Sequence, residues 1–235
     1  MDLLKKCLSE WDMDIDDERL DLFAGYYELL ISWNEKFNLT SITKKEEVIV
    51  KHFVDSISLL KYTDISGKTL LDVGTGAGFP GIPLKIMVPE CRVTLIDSLN
   101  KRVGFLNEVI SSLGLFGITV VHGRAEDLAK DGDYRESFDI VTSRAVADLS
   151  VLAEYCLPFV NIGGAFISYK GINIDDESEM AEHAVRILGG RTDRIEKFSL
   201  PFSDAERSLL FVDKTEHTAK RFPRKAGMPL KKPLT

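Results

Sequence analysis

The stretch DVGTGAGFPG, Asp72 to Gly81, sets an acid at the head of a turn rich in glycine, and Asp97 closes the apolar run RVTLID further on. Glycines at such spacing let backbone N–H groups approach a ligand more closely than any other residue permits. The segment Gly76–Gly81 is a literal G-x-G-x-x-G, the spacing of a dinucleotide turn. That reading places Asp72 beside two phosphate charges, a repulsive arrangement. A Walker turn is excluded, because no Lys-Ser or Lys-Thr follows the glycines. Counted from the acid, the pattern is D-x-G-x-G-x-G through Asp72, Gly74, Gly76 and Gly78. A turn of that kind suits a ligand that is cationic at one end and carries no phosphate.

S-adenosylmethionine has that character, with its sulfonium and ammonium groups. Asp72 is expected to help orient the amino-acid end. Asp97 is expected to accept hydrogen bonds from ribose hydroxyls, a role it would play equally for a dinucleotide. Ala125 and Glu126, in GRAEDL, follow the next apolar run and are placed near the adenine. Phe79 directly follows the glycines, where an exposed ring would line the pocket.

These residues need a scaffold, and the rest of the chain describes one. Between Asp16 and Phe37, apolar Leu20, Phe23, Tyr27, Leu30 and Trp33 recur at helical steps. The loop NLTSIT follows, and Thr43 stands three residues before Glu46, a capping-box spacing that opens the helical run EEVIVKHFVDSISLLKY. After Gly67 the texture changes to short β-branched runs, KTLLDV, RVTLID, ITVVHG, FDIVTS and AFISYK, alternating with helical segments. Two last runs, DRIEKFSLP and RSLLFVDK, are joined too closely for a crossover and predict an antiparallel pair. The fold expected is α/β: a doubly wound, seven-stranded, mostly parallel sheet of the S-adenosylmethionine-dependent methyltransferase type. An N-terminal helical extension over residues 1–66 precedes a Rossmann-like domain over 67–219, and 220–235 form a basic tail.

The charge is uneven. The tail KRFPRKAGMPLKKPLT carries Lys220, Arg221, Arg224, Lys225, Lys231 and Lys232 without a carboxylate, so the formal net charge of −7 leaves −13 on the remainder. A basic tail on an acidic body suggests a polyanionic partner, although a solvated terminus has the same composition. Phe222, Pro223, Met228, Pro229 and Pro233 interleave with the cations and predict that part of the tail docks on the body. The three cysteines are scattered, with no C-x-x-C pair, so neither zinc nor a disulfide framework is indicated. The first residues lack a secretory signal, and no apolar run has membrane-spanning length; the chain reads as cytoplasmic, with no membrane partner.

DVGTGAGFPGIPL resembles the first motif of the bacterial RsmG family, also called glucose-inhibited division protein B. The similarity continues through NLTSI, KHFVDS, DSLNKRVGFL, GRAED, SRAVA and RFPRKAGMPLKKPL. The resemblance implies a methyltransferase acting on guanine N7 of 16S ribosomal RNA, within the small ribosomal subunit or its assembly intermediate. For the cofactor pocket it implies Gly74, Phe79, Ala125 with Glu126, and Arg144. A monomer is the expected state.

That chemistry agrees with what the sequence lacks. No Asn-Pro-Pro-aromatic stretch for an exocyclic amine follows FDIVTSRAVAD, and Cys156 lies in a helical apolar run rather than at a strand end. Guanine N7 carries a free lone pair, so no general base, hence no catalytic acid–base residue, is expected. Arg144 should contact the cofactor carboxylate, guanine O6 or a phosphate rather than N7 itself. His52 is read as structural, while Lys170 and the six tail cations are candidates for RNA phosphates. Two other classes share parts of the pattern: a nucleotide-dependent oxidoreductase, and a non-catalytic RNA-binding protein with a vestigial pocket.

Overall fold

The computed structural model describes residues 1–144 and 147–234. Ala145 and Val146, within the SRAVA motif, and Thr235 lie outside the described residues.

Helix α1 (Asp2–Ser9) is followed by α2 (Asp17–Phe37), whose start is capped by Asp16, which accepts a hydrogen bond from the Arg19 N–H. Asn38 ends α2 in the left-handed conformation. The next helical run is less regular than its periodicity predicts. It begins as α3 (Lys45–Val48), widens into a π-helical stretch (Ile49–Val54), and closes as α4 (Asp55–Ile57) and a 3₁₀ turn (Ser58–Lys61). The expected capping box is not formed. Lys44 occupies the cap position without a side-chain bond, and the Thr43 carbonyl accepts from the Tyr27 hydroxyl instead.

The remaining chain alternates β1 (Thr69–Val73), α5 (Gly81–Met87), β2 (Arg92–Asp97), α6 (Asn100–Ser112), β3 (Ile118–His122) and α7 (Ala125–Leu128). Then come β4 (Phe138–Arg144), α8 (Leu149–Cys156), β5 (Val160–Gly171), α9 (Asp175–Ile187), β6 (Gly190–Ser199), β7 (Glu206–Lys214) and the short α10 (Met228–Lys231). The sheet order is β3-β2-β1-β4-β5-β7-β6, with β7 antiparallel to both neighbours. Strand order reverses between β1 and β4, which opens a crevice at their carboxyl ends. Because β7 runs the other way, its first residues come to that same end: Arg207 pairs with Gly171, the last residue of β5.

Consecutive strand residues serve opposite faces. Leu70, Leu95, Ile140 and Ile167 join Phe23, Phe53 and Phe105 in one core, under the N-terminal helices, α5 and α6. Leu71, Ile96, Val141 and Phe166 join Leu152 and Val185 in the other, under α8 and α9. Each such side chain stabilises the fold by about 1.5–3 kcal/mol through burial. The tail adds Phe222 to the second core. No helix among the described residues is long and apolar enough to cross a membrane, and none of their acidic, His and Cys side chains cluster as a metal site.

Candidate functional site

The crevice holds three adjoining cavities. The first, about 380 Å³, is bounded by the glycine turn after β1 and by Thr40, His52 and Arg144. The second, about 270 Å³, lies beside the start of α7 and is walled by Val73, Ile96, Ala125, Glu126, Tyr155 and Leu230. Gly74, Asp97 and Ser98 border both. The third, about 350 Å³, shares His52 and Arg144 with the first.

Gly74, Gly76 and Gly78 all have positive φ, at 69°, 63° and 95°. The two acids organise this turn from beneath. Asp72 is fully buried and borders none of the three cavities, so it does not meet the ligand directly as expected from its place in the sequence. Its Oδ2 accepts from the Thr75 hydroxyl (2.6 Å) and the Gly81 N–H (3.0 Å), which pins both ends of the turn. Burial raises its pKa to about 6, against the pull of those hydrogen bonds. Asp97 does reach the cavities. Its Oδ2 accepts from the Gly76 N–H (3.0 Å) and Arg102 (3.3 Å), and its Oδ1 from the Leu99 N–H (2.9 Å). Gly78 faces inward: a Cβ there would lie 2.5 Å from Ile82 and 2.7 Å from the Tyr26 hydroxyl oxygen.

Phe79 is buried rather than exposed, at 5% accessibility, yet its ring edge borders the first cavity. His52 stacks on it at 4.6 Å, and the Arg144 guanidinium carbon lies 4.9 Å from the ring centroid. Arg144 donates to Asp55 Oδ2 (3.0 Å) and the Lys51 carbonyl (3.3 Å), and its Nη2 lies 3.3 Å from His52 Nδ1. A guanidinium only donates, so Nδ1 accepts and the ring proton sits on Nε2. The Lys51 carbonyl, 3.1 Å from Nδ1, favours the opposite tautomer; it has Arg144 as its own donor, and the charge-assisted contact decides. Nε2–H then donates to Thr40 Oγ1 at 2.9 Å. Thr40 Oγ1 also accepts from the Ile42 N–H (3.1 Å), which leaves the hydroxyl proton free to point into the first cavity. Burial, with Arg144 adding to it, depresses the His52 pKa to about 3, so the ring is neutral.

The motifs NLTSI and KHFVDS contain Thr40, His52 and Asp55, of which the sequence alone singles out only His52, and as a structural residue. His52 in fact stands in the wall between two cavities. Arg207 gave no sequence signal, since the antiparallel turn of β7 alone carries it to the site.

Two of the expected RNA-facing cations are committed elsewhere. Lys170 donates to Glu177 (2.7 Å) and the Ala147 carbonyl (2.8 Å). Arg224 grips the fully buried Glu154 through Nε and Nη2, with Nη2 at 2.6 Å. The tail is folded back onto the body: Arg135 donates to the Phe222 carbonyl, and the Gly227 N–H donates to Glu126 at 2.8 Å. Glu126 therefore borders the second cavity with one oxygen spent on the tail. Lys220, Arg221, Lys225, Lys231 and Lys232 remain exposed.

A model of the GidB family, described as rRNA small subunit methyltransferase G, matches residues 19–209. The chain belongs to this family. Among curated relatives, Ribosomal RNA small subunit methyltransferase G of Lachnoclostridium phytofermentans is 55% identical over 94% of this chain and 92% of its own length. The protein of the same name from Acetivibrio thermocellus is 51% identical over 99% and 96%. In fold, the chain is similar to M. jannaschii TYW2 in complex with AdoMet, with a TM-score of 0.54, 14% identity and coverage of 73% and 77%.

As a GidB-family protein the chain is an S-adenosylmethionine-dependent rRNA methyltransferase. Its donor set fits that cofactor. The second cavity is mainly apolar beside Val73, Ile96 and Leu230, suited to a flat base, while the first is polar and Asp97 stands between them. The acid under the turn, Asp72, would oppose a pyrophosphate, which disfavours the oxidoreductase reading.

Proposed function

We propose that this GidB-family protein methylates N7 of a guanine in 16S rRNA, in the small subunit or an assembly intermediate. When bound, S-adenosylmethionine supplies a methyl group made electrophilic by its sulfonium. Gly74, Gly76 and Asp97 would hold its amino-acid and ribose parts, and Ala125 and Glu126 would border its adenine. Asp72 contributes indirectly, by fixing the turn.

The observation that carries the choice of atom is the chemistry of the wall facing the glycines. His52 is neutral but both its nitrogens are occupied, by Arg144 and Thr40, so it has no lone pair free to remove a proton. Arg144 only donates. Asp55, the acid of this wall, is held by Arg144 and Arg207, and such a wall suits a nucleophile that needs no deprotonation, such as guanine N7. The chain's contribution would be to position the acceptor nitrogen against the methyl group. In A-form RNA, N7 lies in a groove that side chains cannot enter, so the target base is unstacked or in a loop.

Ribosome assembly as the setting supports a cytoplasmic location. The test is methylation of small subunits from a strain lacking the enzyme, followed by nuclease digestion and mass spectrometry. A single 7-methylguanosine in 16S rRNA is expected. Methylation of another atom or of no RNA overturns the reading, and unchanged methylation by an Arg144→Ala variant removes the site from it.

A further inference from the structure

The third cavity lies across the His52–Arg144 wall from the glycine turn, bordered by Ile42, Asp55, Tyr169 and Arg207. Its four cations are all engaged: Lys51 by Glu47 (2.7 Å), Lys170 by Glu177, and Arg144 and Arg207 both by Asp55, Arg207 at the longer distance of 3.5 Å. The one acid is Asp55, only 4% exposed. Its Oδ2 accepts from Arg144, but its Oδ1 has no hydrogen bond, and Arg207 Nε lies over it at 3.5 Å. A buried carboxylate oxygen held only by that long ion pair is incompletely satisfied and can accept from a better-placed donor.

Resting on the function proposed above, we propose that this cavity is the pocket for the acceptor guanine and that Asp55 reads its Watson–Crick edge. An ionised carboxylate only accepts, and guanine presents N1–H and the N2 amine side by side as donors. Adenine presents an unprotonated N1 at the same place and is repelled. N7 lies on the opposite side of the purine, away from Asp55 and clear of its hydrogen bonds. Arg207 moves off Oδ1 as the base enters and becomes available to a phosphate. The choice of guanine is thus made away from the nitrogen that reacts, whose lone pair stays free.

The test uses the full chain saturated with S-adenosylhomocysteine and titrated calorimetrically with the 5′-monophosphates of guanosine, adenosine and 1-methylguanosine. Guanosine monophosphate is expected to bind about ten-fold or more tightly than either of the others. An Asp55→Asn variant, checked for unchanged S-adenosylhomocysteine affinity, is expected to lose that preference. Equal binding of the three by the wild-type chain overturns the inference, as does failure of all to bind at millimolar concentration or a preference kept in Asp55→Asn. The wild-type comparison decides even if the variant does not fold. Because these titrations need no methyl transfer, they fail separately from the proposed reaction.

Discussion

The two walls of the crevice are built in opposite ways. On the cofactor side, one short segment does the work with its backbone. Asp72 and Asp97 spend their carboxylates on N–H groups of the turn, and the glycines supply its left-handed conformations. On the facing side, Thr40, His52, Asp55, Arg144 and Arg207 come from separate elements and meet only through side chains. A backbone-built wall is sensitive to shape and tolerant of charge beyond its two acids. A side-chain-built wall is a coupled ion network, in which removal of one member strands the rest.

The sharpest break of this contrast is Arg144→Ala. It leaves Asp55 buried with only the more distant Arg207, and about 3–5 kcal/mol of stability should be lost, measured by urea unfolding. Adding Asp55→Asn removes the stranded charge, so the double variant should be more stable than Arg144→Ala alone. Strict additivity of the two would mean that the wall is not a coupled network.

Acid titration separates the walls next, because their titrating groups oppose one another. His52 is held neutral, with its folded pKa near 3, below its ordinary value of 6.5. Its contribution is complete above pH 6.5 and is lost as pH falls toward 3. Asp72 is raised to about 6 from 3.8, so its contribution is complete below 3.8 and is lost as pH rises through 6. Each amounts to roughly 3 kcal/mol, the His52 figure being reduced because part of the ring faces solvent in the cavity. In a His52→Gln variant, stability should decline less toward acid than in the wild type. In Asp72→Asn, stability relative to wild type should improve as pH rises from 4 toward 7. Parallel pH profiles for wild type and both variants would refute these assignments.

Within the turn itself, two glycines should behave differently. Gly78→Ala meets both a positive φ and the Ile82 and Tyr26 side chains at under 3 Å, and should cost about 2–4 kcal/mol. Gly76→Ala shares the positive φ but has its nearest neighbour at 4.0 Å, and should cost only about 1 kcal/mol. Equal losses in thermal melts would show that conformation, not crowding, sets the value of both positions.

The same contrast explains what the sequence reveals. All seven strands are legible because consecutive residues such as Leu70 and Leu71 serve different cores, and each run is bounded by turn residues. The glycine turn is legible because its chemistry is contiguous. The seat of Asp72 is not: whether an acid at a strand end faces the ligand or the turn depends on Thr75 and Gly81 curling back over it. The facing wall is illegible for the same reason that it is coupled. Asp55 and Arg144 are distant in sequence, and Arg207 reaches them only because β7 is inserted antiparallel. The π-helical stretch that carries His52 breaks a periodicity that would otherwise read as one plain helix.

The tail repeats the lesson at smaller scale. Six cations look alike in RFPRKAGMPLKKPL and the lysine before it, but Arg224 is bound to Glu154 while Lys231 and Lys232 are exposed. Arg224→Ala strands a buried acid, so it should loosen the tail from the body and lower the melting temperature. The Lys231→Ala and Lys232→Ala changes should alter stability by less than about 0.5 kcal/mol. Their effect should appear instead in the salt dependence of RNA binding, with the slope of log K against log salt falling by roughly 0.7 for each charge that meets a phosphate. If Arg224→Ala lowers that slope without touching stability, its ion pair with Glu154 does not persist in solution, and the tail is a free electrostatic arm rather than a docked strap beside the second cavity.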